Sequence, residues 1–152
     1  MAINKELKVS AIENGTVIDH IPASSLFYVI SILGLDKSKN QMTFGANLDS
    51  HKLGQKAIIK ISNKFFEKDE INKIALVAPH AKLNIIKNYE VVEKRDVDIP
   101  DEVNGIVKCF NPKCISNNEY VKTKFVVQDK EDLALKCHYC EKVTTRSELK
   151  MI

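Results

Sequence analysis

The sequence has no tryptophan, no low-complexity tract and no internal repeat across its 152 residues. Those absences argue against a solenoid or an unstructured chain, and 44% hydrophobic residues is the content of an ordinary folded protein of one domain or two small ones. No apolar run approaches the ~20 residues that would span a bilayer. Met1 to Lys8 is charged and holds no apolar stretch of secretory length, so a cytoplasmic location is expected and a membrane partner is not. Charge of one sign is scarce too: 23 basic and 20 acidic residues are interspersed for a net +3, a solvated surface rather than the basic face of a nucleic-acid binder. The chain also lacks a nucleophile beside a base and a metal-ligand set with an open position, so no residue is expected to be catalytic.

Cysteine is absent until position 109, after which all four occur: Cys109 and Cys114 with four residues between them, Cys137 and Cys140 with two. Two such knuckles with no thiol left over read as one tetrahedral Cys₄ zinc site, closed and structural, with one ion per chain. A cation is what lets four thiolates lie together, and it ties up a segment too short to build a core of its own. Lys108, Lys113, Lys136 and Lys142 would partly offset the dianionic centre. Two disulfides or four free thiols are the alternative, disfavoured in a reducing compartment. His138 could stand in for a sulfur, but with four available it is expected to face solvent.

The rest of the chain divides by period. Leu7, Val9 and Ala11 alternate with polar residues, and Asn14-Gly15 is a turn signal before Thr16-Val17-Ile18, which predicts a hairpin. Pro22 suits a helix start, Leu26, Val29, Ile30 and Leu33 follow at helical spacing, and Gly34 ends the segment. Strands are expected over Met42–Leu48 and Ala57–Ile61. Glu67, Asp69 and Glu70 open a second helix with apolar Ile71, Ile74, Ala75 and Ala78, closed by Pro79. Two more strands, Lys82–Lys87 and Tyr89–Lys94, meet at Asn88. This order predicts an α+β, split βαβ arrangement with both helices on one face of an antiparallel sheet. Arg95 to Glu102 is charged, contains Pro100 and reads as a linker, so the boundary is set between residues 98 and 99. A strand within Val121–Val127 makes the C-terminal unit a small β zinc ribbon with a thin core and a polar tail.

Polar residues of the first unit group oddly, because Lys60 interrupts an isoleucine-rich strand and Asp19, His20 and Lys94 stand at strand ends. Lys60 and Lys94 could converge on a phosphate chain with His20 as a third donor, leaving Asp19 for a ribose hydroxyl. Scattered charges on an exposed strand face would look the same.

Six stretches in order, namely Gly15–Pro22, Leu53–Ile61, Leu76–Pro79, Ile86–Val92, Cys109–Ile115 and Leu135–Glu141, resemble the regulatory chain of aspartate carbamoyltransferase over nearly the whole length. The resemblance implies a ferredoxin-like allosteric domain over residues 1–98 and a rubredoxin-like zinc domain over 99–152 that grips the catalytic chain. It implies a non-catalytic subunit that binds CTP and ATP and controls pyrimidine biosynthesis, built as a homodimer within two catalytic trimers bridged by three regulatory dimers. By motif match Asp19 would take the ribose, Lys60 ribose and base, and His20 and Lys94 the phosphates, while Ala11, Ile12, Val17, Asn84, Tyr89 and Val91 would line the base pocket. Residues 5–10 and 50–56 are candidates for a second nucleotide, which leaves UTP an open co-effector. Phe110 stands where the family commonly has proline, a change beside the ligand rather than at it.

Two other classes compete. A zinc-ribbon nucleic-acid module would need clustered basic residues with exposed aromatics. A thiol oxidoreductase would use Cys137-His138-Tyr139-Cys140 as its redox pair, which the two further cysteines at ligand spacing oppose.

Overall fold

Isoleucine and valine alternate with polar residues along the strands of the first of two antiparallel sheets. The computed structural model of the chain describes residues 11–51 and 54–152, which divide into a unit ending at Asp98 and a unit spanning Ile99–Ile152. The first unit contains β1 (Gly15–Pro22), β2 (Met42–Ser50), β3 (Gly54–Ser62), β4 (Lys82–Lys87) and β5 (Glu90–Asp96), in the sheet order β2-β3-β1-β4-β5. Helix α1 (Leu26–Ile32) connects β1 to β2, and α2 (Lys68–Asn72) connects β3 to β4. Each connection joins parallel members of the sheet, and right-handed crossovers bring both helices to one face. The ferredoxin-like arrangement expected from the sequence is thus present, with β5 added at one edge.

Local chemistry accounts for the helices. Pro22 precedes a single 3₁₀ turn at Ala23–Ser25, after which α1 buries Leu26, Val29 and Ile30. Gly34 then adopts a left-handed conformation (φ 67°) and its N–H donates to the Ser31 carbonyl at 3.0 Å, a glycine stop. Before α2, the Glu67 N–H donates to the Glu70 carboxylate at 3.1 Å, and acidic residues face the positive helix end. Ile71, Ile74, Ala75 and Ala78 are all buried as expected, but the regular helix is shorter than their spacing suggests. It tightens to 3₁₀ over Lys73–Leu76, because Pro79 disfavours helical backbone just before it and the last turn closes early.

Cross-strand register sorts the sheet into two faces. Ile18 lies opposite Ile59 on one side and Leu83 on the other, and Thr16 opposite Ile61 and Ile85, and these rows are buried with the helices. The Thr16 hydroxyl donates to the Lys64 carbonyl at 2.6 Å, which satisfies it there. On the other face the register aligns Thr43, Lys60, Val17, Asn84 and Lys94 in one row across all five strands.

Two expectations change. Most of the strand expected at Leu7–Ala11 lies outside the described residues, and β1 has both edges taken by β3 and β4, so no edge is left for a hairpin across Asn14-Gly15. The join expected at Asn88 is present as a tight turn at Asn88-Tyr89, both at positive φ (54° and 65°), the backbone of a two-residue hairpin between β4 and β5. The linker is shorter than read, since β5 runs to Asp96 and Val97 is buried.

The second unit is a four-stranded sheet ordered β6 (Glu102–Asn104), β7 (Lys124–Asp129), β8 (Ala134–Cys137) and β9 (Val143–Thr145). Val103, Val107, Phe125, Leu133 and Leu135 form a small apolar core against the buried cysteines. The tail is not loose: Met151 bridges Val107, and the Ile152 N–H donates to the Ile106 carbonyl at 2.9 Å.

Gly15 and Gly34 give opposite tests of glycine's role. A Cβ on Gly15 (φ 145°) would lie 2.0 Å from the Ile61 carbonyl oxygen, whereas one on Gly34 would meet nothing within 4 Å. Gly15→Ala should therefore destabilise the first unit by roughly 2 kcal/mol or more, and Gly34→Ala by about 1 kcal/mol from backbone strain alone. Thermal unfolding that ranks the two the other way would refute the account of β1.

Candidate functional site

The four cysteine sulfurs converge in the second unit, all within 4.8 Å of one another. Cys109 and Cys140 are 3.7 Å apart, as are Cys114 and Cys137. A tetrahedral zinc with Zn–S bonds of ~2.3 Å has sulfur–sulfur edges of ~3.8 Å, so this set fits a zinc ion closely. Backbone shape supplies the convergence. The Asn117 amide donates to the carbonyls of Cys109 (2.9 Å) and Asn111 (2.7 Å), and the Asn118 amide to those of Pro112 (3.1 Å) and Cys114 (2.8 Å), locking the first knuckle. The second knuckle closes with Glu141 in a left-handed conformation (φ 63°) and its N–H on the Cys137 carbonyl at 3.0 Å.

Protonation of the thiols agrees with a metal site. Burial pushes the Cys109 thiol up to about 12, and burial likewise raises Cys137, although backbone amides of the knuckles aim at both sulfurs. At Cys140 the upward pull of burial is outweighed by hydrogen bonds from Lys142, Asn111 and the neighbouring cysteines, which bring it down to about 7. Without a cation such a pocket tolerates little thiolate, and a bound dication reverses that balance. His138 is exposed, with its N–H on the Lys124 carbonyl at 2.8 Å and its ring edge-on to Tyr139, outside the sulfur cluster.

The open face of the first sheet holds the other group. Asp19, His20, Asn84 and Lys94 line a cavity of about 490 Å³, together with Lys82, Arg95 and Asp96. Val17 and Lys60 stand in the same cross-strand row as Asn84 and Lys94. Ala11, Ile12 and Tyr89 line a second cavity of about 280 Å³. Val91 pairs with Ile86, which pairs with Gly15, and so lies on this face two residues along from the Val17 row, half exposed.

A bulge in β1 shapes this cavity. Pairing of β1 with β3 shifts register between Ile18 and Ile21, His20 takes a left-handed φ of 59°, and its N–H donates to the Asp19 carboxylate at 2.6 Å. The His20 Nδ1 is buried without a hydrogen-bond partner, its distance to the Asp19 carboxylate being 3.7 Å. Asp19 instead accepts an ion pair from Lys56 at 2.9 Å. Burial lowers the Lys60 ammonium below the ordinary lysine range, and the Asp19 charge partly restores it. A cation desolvated in this way gains from an incoming anion.

Sequence reasoning did not single out Lys82 or Asp96, and placed Lys56 only within the 50–56 stretch considered for a second nucleotide. Lys82 stands two residues before Asn84, so strand alternation alone puts both on one face. The Lys56–Asp19 pair spans the bulge and had no local signal.

Among the described residues no helix is long and apolar enough to cross a membrane. Residues 7–98 match the family described as aspartate carbamoyltransferase regulatory chain, allosteric domain, and residues 101–150 its metal binding domain. Similar proteins are the aspartate carbamoyltransferase regulatory chains of Bacteroides fragilis, 58% identical over all of both chains, and of Pyrococcus horikoshii, 54% identical over 95% of this chain and 96% of that one. The regulatory chain of Porphyromonas gingivalis is 49% identical over 97% and 98% of the two.

Because ligation requires thiolates, metal affinity should fall as pH is lowered and protons compete for the sulfurs. Release of zinc to a chromophoric chelator should therefore accelerate on acidification, and Cys114→Ser should lose stoichiometric zinc. Full zinc retention in that variant would remove Cys114 from the ligand set.

Proposed function

The chain belongs to the aspartate carbamoyltransferase regulatory-chain family, with its allosteric and metal-binding domains, and from that premise we propose that CTP and ATP compete for the open face of its first sheet. It is a regulatory, non-catalytic subunit, and its partner is the catalytic chain of that enzyme. The single observation that supports the nucleotide reading most is the cross-strand row Lys60–Val17–Asn84–Lys94, which sets two cations on one face of the sheet, with Asn84 and Lys94 lining the 490 Å³ cavity.

In this reading Lys94 and His20 meet the phosphates and Asp19 the ribose, with Lys60 reaching ribose and base. The buried, unpartnered Nδ1 of His20 supports a ligand contact there. Ala11, Ile12, Val17, Asn84, Tyr89 and Val91 line the base, where the Tyr89 N–H already engages the Glu13 carbonyl at 2.9 Å and holds the hairpin tip against the entry to β1. UTP would act as a second effector near residues 50–56; residues 5–10, the other part of that expectation, lie outside the described residues. The domain limits we assign, 1–98 for nucleotide binding and 99–152 for zinc and the catalytic chain, follow the division into two units. The four sulfurs hold one zinc per chain, and homodimers of the chain bridge catalytic trimers, three dimers to two trimers. A site of reduced thiols suits the cytoplasm, where the assembly would serve pyrimidine biosynthesis.

Control of this kind is linkage. A nucleotide that binds one quaternary state better than another shifts the population of catalytic chains it never touches, and typical couplings of about 1 to 3 kcal/mol move apparent substrate affinity several-fold. The reconstituted complex should thus show an aspartate saturation curve displaced by CTP and ATP, while the bare catalytic trimer should not respond. Identical responses of the two would sink the regulatory reading of this site. Removing a charged partner of a bound phosphate typically costs about 1.5 to 3 kcal/mol, so Lys94→Ala and Lys60→Ala should each weaken calorimetric CTP binding roughly ten- to a hundred-fold. Parent-like binding by both variants would place the nucleotide elsewhere.

A further inference from the structure

We propose that Lys82 is an additional phosphate-binding cation of this site, held by Asp96 until a nucleoside triphosphate takes it, so that the pair makes the site selective for the number of phosphates. The inference rests on the nucleotide reading above and adds a residue that neither the family motifs nor the comparisons assign. Sheet register carries it. Asp19, Lys82 and Asp96 lie opposite one another on β1, β4 and β5, in a row two residues along from Val17, Asn84 and Lys94 and on the same face. Two residues of strand are about 7 Å, within reach of a lysine side chain from either row. Lys82 and Asp96 both line the 490 Å³ cavity with His20 and Lys94.

Charge bookkeeping distinguishes Lys82 from its neighbours. Lys56 is engaged by Asp19 at 2.9 Å, at the edge of the bulge. Arg95, although it borders the cavity, lies opposite the core residue Leu83 and holds Glu93 at 2.9 Å, so its guanidinium belongs to the helix-bearing face. Lys82 is paired with Asp96 across the strands, and the side chains are 47% and 71% exposed. A pair that open to water holds weakly and can exchange one anion for another with little loss. A triphosphate offers several charged oxygens where Asp96 offers one carboxylate, and the charge-assisted bonds formed are the stronger kind. With Lys94 and His20 already at hand for the inner phosphates, Lys82 in the outer row is suited to the terminal ones. Asp96, displaced toward solvent, then opposes the phosphates by like charge and holds affinity below what the cations alone would give.

Calorimetric titration of CTP and CMP into the full chain, its Lys82→Ala variant and its Asp96→Asn variant tests this, with melting temperature recorded for each. Lys82→Ala should weaken CTP by roughly ten-fold and CMP by no more than about two-fold. Asp96→Asn should tighten CTP several-fold. Unchanged CTP affinity in Lys82→Ala, or equal weakening of CTP and CMP, overturns the assignment while leaving the nucleotide site standing. Should Lys82→Ala unfold, Asp96→Asn decides alone, and a CTP affinity no tighter than the parent's overturns it. A parent chain that binds neither CTP nor ATP removes the nucleotide reading itself and this inference with it.

Discussion

Strand β1 is paired along both edges, and most of the first unit depends on that double pairing. Side chains of a strand alternate between faces, so Thr16 and Ile18 enter the helix-side core while Val17, itself buried, and Asp19 lie on the opposite face. A slip of one residue would exchange the two sets, burying Asp19 and exposing Ile18. Two features pin the register. Gly15 lies so close to the Ile61 carbonyl that only hydrogen fits there, and the bulge at Asp19-His20 shifts the register with β3 before pairing resumes at Ile21-Pro22. The same bulge places His20 at the cavity, so one device both resets the ladder and shapes the cavity wall.

In the second unit the comparable constraint is the metal. Its apolar core is a handful of side chains, and three of the four cysteines are as buried as any of them. Thiols raised by burial are poor anions, and knuckle amides that aim at their sulfurs only partly compensate. A dication satisfies both conditions, and in a unit this small its binding free energy is folding free energy.

The cavity-bearing face shows how a weakly basic chain can hold its cations in reserve. Its cations are not surplus charge: Lys56 leans on Asp19 and Lys82 on Asp96. Under the nucleotide reading proposed above, anion binding there would be an exchange of partners in a half-wet cavity rather than neutralisation of an exposed basic patch.

By itself the sequence determined what local chemistry can write. The cysteine spacing, the Pro22 and Gly34 limits of α1, the acidic start of α2 and the apolar alternation of β3 and β4 all act within a few residues, and each reappears in the fold. The motifs at Asp19-His20, Lys60 and Lys94 were legible for the same reason, because each sits in a short run of distinctive neighbours. Other features required the tertiary structure. The hairpin expected across Asn14-Gly15 was a local signal overruled by β3 and β4, which outbid it for both edges of β1. The row from Lys60 through Val17 and Asn84 to Lys94, and the Lys82–Asp96 pair beside it, join strands distant in the chain, and no local rule specifies a register between them. That register is set by which apolar side chains can be buried together, a property of the whole sheet.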